Sequence, residues 1–308
     1  MGYRLTTKRE ILSIDSGLGT GLGRFGPLHD YCRKLHFHIT STADLDFALK
    51  FLEASDPFAA VLVDGNVLTP EESDKLINSV RSINEHTPIC WQRSSSGIGK
   101  SYLPNLPDRS LEFEGNATSD LQILDQAIKR CFFPRIIAYA MEFSTRLSLK
   151  QTYRIDITQQ ESYLRCDHKP LAEVSSMISF FGDETVGSVV VSASRTVLLD
   201  TYRQILPGSN ANASNPEEML VGDMCNAIMG RFKGFMEQNG THIQITWPMT
   251  ATGYPTGLAF GSGRLAMVQK LFEFDDLYVE LYLDEFNMSK LKRNVTMRKV
   301  NTGDLKFF

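Results

Sequence analysis

Residues Asn215 to Gly240 read NPEEMLVGDMCNAIMGRFKGFMEQNG, and this stretch spells one long helix from start to stop. Asn215 suits an N-cap, Pro216 the first helical position, and Glu218, three residues past the cap, completes a capping box. The acidic first turn matches the positive end of the helix dipole. Leu220, Met224, Ala227, Ile228, Phe232, Phe235 and Met236 recur at three- and four-residue steps as an apolar stripe, and Gly240 supplies the stop. A second face carries Asp223, Asn226, Gly230, Lys233 and Glu237. A carboxylate and a carboxamide thus sit one turn apart on a polar ridge. A carboxamide orients a water without deprotonating it, so this ridge suits catalysis by positioning rather than by strong base chemistry.

Working outward, 308 residues are about two domains' worth, and 42% hydrophobic with 22% charged residues is ordinary for a globular chain. No apolar run reaches the roughly 20 residues of a membrane span, and MGYRLTTKREILSID has neither the apolar core nor the small-residue cleavage site of a signal peptide. A cytoplasmic protein is expected. The net charge of −4 speaks against a nucleic-acid surface; only SKLKRNVTMRK near the C-terminus is basic. Cys32, Cys90, Cys131, Cys166 and Cys225 are odd in number, without a CxxC pair, and read as reduced core thiols. His36 and His38 alternate on an expected strand without a third ligand nearby, so no metal site is assigned to them.

Residues 1–132 alternate short apolar runs with helical patterns. EILSID, FHIT, AAVLVD, TPICWQ and RSLEF are strand candidates, and Leu28–Leu35, Ala43–Ala54, Pro70–Asn84 and Ser119–Cys131 are helix candidates. Such alternation predicts right-handed βαβ units and an α/β, doubly wound, parallel five-stranded sheet. Its site belongs at the carboxyl ends of the strands, where Asp15, Ser16, Asp64, Arg93 and Ser94 fall. Gly21, Gly23 and Gly26 match GxGxxG spacing but begin several residues after the first strand. SSSGIGKS ends like a phosphate loop yet has Ser94 in place of its first glycine. Neither carries a nucleotide assignment.

This half resembles the receiver domains of two-component signalling. In that family an acidic pair after the first strand holds Mg²⁺, the aspartate ending the third strand accepts a phosphoryl group, and a hydroxyl residue and a lysine end the fourth and fifth. Asp15 and Asp64 match these positions, while Ser16 replaces the second acid, Arg93 or Ser94 stands near the hydroxyl position and RSLEFEG has no lysine. The resemblance therefore implies a degenerate receiver with a vestigial phospho-acceptor site at Asp64 and Asp15.

From residue 133 to 308 the expected order is a helix over RIIAYAMEFSTRLSL, strands at Tyr153–Ile157, Val174–Phe181 and Val186–Ala193, a helix at Arg195–Ile205, the long helix, and strands in THIQITWP, TGLAFGSG and KLFEFDDLYVELYLDE. This is an α+β layer of long helices on an antiparallel sheet, ending in the basic tail. It resembles the CheC/CheX/FliY phosphatases of bacterial chemotaxis, CheX most closely, through the hairpin FFG-turn-VGSVVVS and the helix GDMCNAIMGRFK. That family carries a carboxylate, an asparagine three residues later and a proline further on; Asp223, Asn226 and Pro248 match, with aspartate in place of the usual glutamate. The resemblance implies removal of the phosphoryl group from a CheY-like receiver, with Asn226 orienting water and Asp223 docking the partner's lysine. No cofactor is expected in this chain, Mg²⁺ belonging to the partner, and pairing into a homodimer is implied. A non-catalytic scaffold that binds receivers is the alternative, and dinucleotide binding through GLGRFG a third reading.

Overall fold

The computed structural model describes residues 3–4, 6–16, 25–54, 58–84, 87–92, 110–113, 117–157, 160–165, 171–183, 185–205, 215–253, 266–271 and 276–287. They form two compact units. One gathers the described residues of Met1–Phe133 with those of Ser162–Cys166; the other gathers those of Pro134–Glu161, Asp167–Ser262 and Ala266–Phe308.

In the first unit, after a two-residue strand β1 (Tyr3–Arg4), strands and helices alternate: β2 (Glu10–Ile14), α1 (Gly26–Lys34), β3 (His38–Thr42), α2 (Leu45–Ala54), β4 (Ala60–Asp64), α3 (Pro70–Ile83), β5 (Ile89–Gln92), β6 (Ser110–Phe113) and α4 (Ala117–Cys131). The five strands β2 to β6 pair in parallel in the order β3-β2-β4-β5-β6, so the first βα unit steps one way and the rest the other. This is the flavodoxin-like order, whose switch point lies between the carboxyl ends of β2 and β4. All five residues of β4 are buried, as a central parallel strand with helices on both faces requires. Leu12, Ile14, Val61 and Val63 pack with Leu49 and Leu52 of α2 and Leu76 and Val80 of α3. Alternation sends Ser13 to the opposite face, where it meets His29 of α1. On that side Tyr31 Oη donates to Asp125 Oδ1 of α4 over 2.8 Å.

After α5 (Arg135–Thr152), which belongs to the second unit, comes β7 (Gln160–Arg165), most of which belongs to the first; the second unit continues with β8 (Val174–Gly182), β9 (Thr185–Ala193), α6 (Arg195–Ile205), α7 (Pro216–Gln238), β10 (Ile243–Ile245), β11 (Met249–Thr252), β12 (Ala266–Leu271) and β13 (Leu277–Phe286). Within the second unit the strands pair antiparallel in the order β12-β13-β9-β8-β10, with β11 also on β8; in the first, β1 pairs antiparallel with β7. Pleating puts Val174, Ile178, Phe180, Val189 and Val191 on one face, toward α7. There Phe180 meets Phe232 at 5.4 Å between ring centroids, and Cys225 Sγ donates to Val189 O.

Several expectations are corrected. His36 precedes β3 with φ 66°, so it does not share a strand face with His38. Tyr153–Ile157 is not a strand: Tyr153 caps α5, and Arg154 at φ 57° turns the chain so that Ile155 N also donates to Leu149 O. The next strand begins only at Gln160. Ile155 and Ile157 are buried all the same, so the apolar alternation reflects burial without pairing. Asn215 is the N-cap of α7, but its backbone, at φ −151° and ψ 73°, makes no side-chain cap; instead its Nδ2 donates to Glu218 Oε2 over 3.3 Å. The capping box stands at α3, where Thr69 Oγ1 accepts from Glu72 N and Thr69 N donates to Glu72 Oε2. At the far end of α7 Gly240, at φ 87°, takes the left-handed turn, and Gly240 N and Thr241 N donate back to Glu237 O and Met236 O. Arg93, Ser94, SSSGIGKS, TGLAFGSG, Cys166, Gly21, Gly23 and the basic tail lie outside the described residues; Gly26 opens α1.

Candidate functional site

The ridge of α7 is built by 3.6-residue periodicity. Leu220, Val221, Met224, Cys225, Ile228, Met229, Phe232, Phe235 and Met236 are buried, which turns Met219, Asp223 and Asn226 outward, where all three are exposed. Asp223 and Asn226 are separated by about 4.5 Å along the helix axis and project from neighbouring positions of one face. A Cβ built on Gly230, the next step along the ridge, would meet nothing within 4 Å. The ridge is therefore low on that side of Asn226, and a docked surface can approach the carboxamide closely. Further on, Lys233 and Glu237 pair at 3.8 Å, and Glu237 also lies 3.4 Å from His242 Nδ1.

Beside the start of α7 runs β11. Thr250 Oγ1 donates to Ser176 Oγ and lies 3.4 Å from where a Cβ on Gly222 would sit. Pro248 is exposed just before β11, and Trp247 next to it is 89% exposed. On the other side is α5. Its capping residue Tyr153 is buried, and its phenol is pushed up first by burial and then by the Asp223 carboxylate. Partial desolvation in turn raises the carboxyl of Asp223, so this exposed acid holds its proton to a higher pH than an ordinary aspartate. Tyr153 was not singled out from the sequence, where it read as the first residue of a strand. No local spacing connects it to Asp223, because the proximity arises from the packing of two helices.

In the first unit, Ile14 of β2 is in register with Val63 of β4, so Asp15 and Asp64 are neighbours at the carboxyl ends of the two central strands, each 3% exposed. The structure thus brings together the two acids singled out in this half. Asp64 Oδ1 accepts from Asn66 N and Asn66 Nδ2, at 3.0 and 2.7 Å. Ser13 Oγ donates to Asp15 Oδ2 at 2.6 Å, and His29 Nε2 lies 3.0 Å from Ser13 Oγ and 3.9 Å from Asp15 Oδ2. Burial lowers the pKa of His29 more than Asp15 raises it, so the imidazole is neutral and its Nε2–H donates to Ser13. Ser16 points to solvent as the chain leaves the sheet. Among the described residues no group of three His, Cys, Asp or Glu side chains could hold a metal ion. With Ser16 in place of a second acid after β2, the described residues offer a hard cation the Asp15 and Asp64 carboxylates and no third His, Cys, Asp or Glu beside them.

The described cysteines Cys32, Cys90, Cys131 and Cys225 are reduced and buried, and burial pushes Cys32 and Cys225 up to about 12. They are packing groups, not nucleophiles. No helix among the described residues is long and apolar enough to cross a membrane.

The strand order of the first unit is that of a flavodoxin-like sheet, and in the second the hairpin β8–β9 is followed by α6 and the long helix α7. Solved structures similar to about half of the chain or less exist. A CheC-like superfamily protein from Shewanella sp. PV-4 is 19% identical, covering 49% of this chain and 99% of its own, with a TM-score of 0.43. CheX of Borrelia burgdorferi, solved in complex with CheY, BeF₃ and Mg²⁺, is 14% identical over 48% of this chain and 98% of its own, with a TM-score of 0.40. The receiver domain of a sensor histidine kinase from Pseudomonas aeruginosa, with magnesium in its active-site cleft, is 18% identical over 40% of this chain and 99% of its own, with a TM-score of 0.31. No family model and no curated protein matches the sequence.

Proposed function

We propose that the second unit dephosphorylates a phosphorylated, CheY-like receiver in chemotaxis or a related two-component pathway. The observation that carries this reading is the exposed pair Asp223 and Asn226 on the outward face of a well-terminated helix, with open space beside Gly230. Asn226 enters the partner's active site and orients a water in line with the aspartyl phosphate. The carboxamide oxygen accepts from the water and the amide nitrogen donates to it or to a phosphoryl oxygen. Phosphoryl transfer needs little covalent help from the protein, so placing the water and excluding competing orientations supplies the rate. Asp223 accepts a charge-assisted hydrogen bond from the partner's lysine and fixes the docking, a contact worth about 1.5–3 kcal/mol. Mg²⁺ belongs to the partner in this reading, and this chain contributes no metal ligand to the step. The partner class is the one that the Borrelia CheX binds. Homodimer formation is a further part of the same proposal.

The test is the lifetime of phosphorylated receivers from the same cell, measured by loss of the aspartyl phosphate with and without the full chain and its Asn226→Ala variant. Shortening by the wild type alone supports the reading. Equal decay of every receiver in all three samples rejects it. The non-catalytic alternative predicts unchanged decay together with measurable receiver binding, and the altered surroundings of Asp15 and Asp64 favour at least that the first unit receives no phosphoryl group itself.

A further inference from the structure

β10 and β11 pair with the same strand, β8, and together make one interrupted edge strand. Along β10, Ile245 stands opposite Phe180, and just beyond it Thr246 N donates to Ser179 O. Along β11, Met249 stands opposite Met177. Ile178 therefore faces two residues, Trp247 and Pro248, which is a β-bulge. Ile245 shares the face of its partner Phe180, and Thr250 that of Ser176, so alternation from either end brings Trp247 and Pro248 onto the side of the sheet that α7 covers.

Two contacts set the level of the bulge along α7. Gly222 lies against Thr250, opposite Ser176, and Phe232 meets Phe180. Between them the helix rises about 15 Å and β8 about 13 Å, so Ile178, halfway along, is level with the middle of that stretch, around Ala227. Asn226 stands one turn on from Gly222, on the flank of α7 that overlooks the edge strand, and α7 packs on both β10 and β11, either side of the bulge. Trp247 is thus placed beside Asn226, yet at 89% exposure its ring does not pack on the helix. Tryptophan offers a large apolar area and is highly buried on average. The bulge also makes this edge a poor template for an added strand, because the ladder is broken and Pro248 has no N–H to donate. A surface that closes over Asn226 covers Trp247 as well, and the surface brought there by the proposed function is a receiver's.

We propose that Trp247 is the apolar anchor of the docked receiver, filling a hollow beside the receiver's aspartyl phosphate while Asn226 holds the water; the identity of the partner rests on the proposed function. An anchor of this kind acts on binding and leaves the chemical step alone. The full chain is compared with Trp247→Ala, Trp247→Phe and Phe181→Ala, the last an exposed ring that alternation places on the opposite face of β8. Binding is titrated with receivers of the same cell held active by beryllium fluoride and Mg²⁺, and turnover is measured against the concentration of phosphorylated receiver. Trp247→Ala is expected to weaken binding and raise KM at least tenfold with kcat within twofold, Trp247→Phe to recover most of both, and Phe181→Ala to match wild type. Unchanged binding and KM in Trp247→Ala, a fall in kcat alone, or an equal loss in Phe181→Ala overturns the anchor and leaves the phosphatase reading standing. Binding that Trp247→Ala weakens, without any dephosphorylation by the wild type, keeps the anchor and rejects the phosphatase reading. If no receiver of the cell binds the wild type, both fall.

Discussion

At the scale of single residues, the two ridge positions make opposite demands on stability and activity. Asn226 is exposed and packs on nothing in the core, so Asn226→Ala leaves thermal stability within about 0.5 kcal/mol of wild type while lowering receiver dephosphorylation by roughly 100-fold. Thermal melts and phosphate-release assays on one preparation check both halves of that statement. Asp223 carries a pH signature. Its folded-state carboxyl is raised, so the folded chain binds this proton more tightly than the unfolded chain does, and ionising it costs stability as pH rises through that value. Asp223→Asn is therefore expected to melt at or slightly above the wild-type temperature at pH 7. Docking through the carboxylate needs the ionised form, so receiver affinity climbs with pH through a midpoint above the ordinary aspartate range, and the Asn variant removes that climb. Titrating affinity from acid to neutral pH in both proteins measures it. The pair itself was legible in the sequence, because a polar ridge opposite an apolar stripe follows from helix periodicity alone. Tyr153 was not, because what makes it notable is the register of α5 against α7, which no spacing within either helix encodes.

Elements show where local chemistry decides and where it does not. Both Thr69-x-x-Glu72 and Asn215-x-x-Glu218 look like helix starts, yet only the first closes its box. At Thr69 an extended backbone, with ψ 165°, aims the hydroxyl at Glu72 N; at Asn215, with ψ 73°, the side chain turns to the carboxylate instead. Thr69→Ala is accordingly expected to cost about 1 kcal/mol and Asn215→Ala distinctly less, as chemical denaturation of the two variants will measure. Reading helices by periodicity and punctuation placed α6 and α7 within a residue, since those signals act over one turn, and ended α5 three residues short, at Leu149 rather than Thr152. Strands were placed less well. Tyr153–Ile157 alternates as a strand does, but Arg154 turns the chain and the pairing starts at Gln160. The hairpin β8–β9 is more constrained than its turn suggests. A Cβ on Gly187 would collide with Tyr282 O of β13 and stand 2.8 Å from Phe180 Cζ. Because the first obstacle is backbone in a central strand, Gly187→Ala is expected to cost at least about 2 kcal/mol, read from the midpoint of urea unfolding.

At the scale of the whole chain, residue 132 looked like a natural place to cut. Yet Tyr3 and Arg4 pair with Leu164 and Tyr163 of β7, far along the sequence. A chain that begins at residue 133 loses β1 and bares that edge of β7, and an unpaired edge recruits another strand. Such a chain is expected to self-associate at concentrations where the full chain does not, which light scattering after size exclusion will detect. The fold class of each half was legible because alternation of strands and helices, or runs of strands between long helices, is a pattern of the entire sequence; the placement of a two-residue strand is not, since two residues carry no period. The tryptophans give the molecule a pair of built-in optical reporters. Trp91 lies 6% exposed in the core of the first unit, and Trp247 stands 89% exposed beside Pro248 in the other. Emission from the first will be blue and shielded from iodide, and from the second red and readily quenched. With Trp91→Phe, quenching of the remaining signal follows a receiver arriving near Asn226; with Trp247→Phe, the colour of what remains follows the melting of the first unit alone.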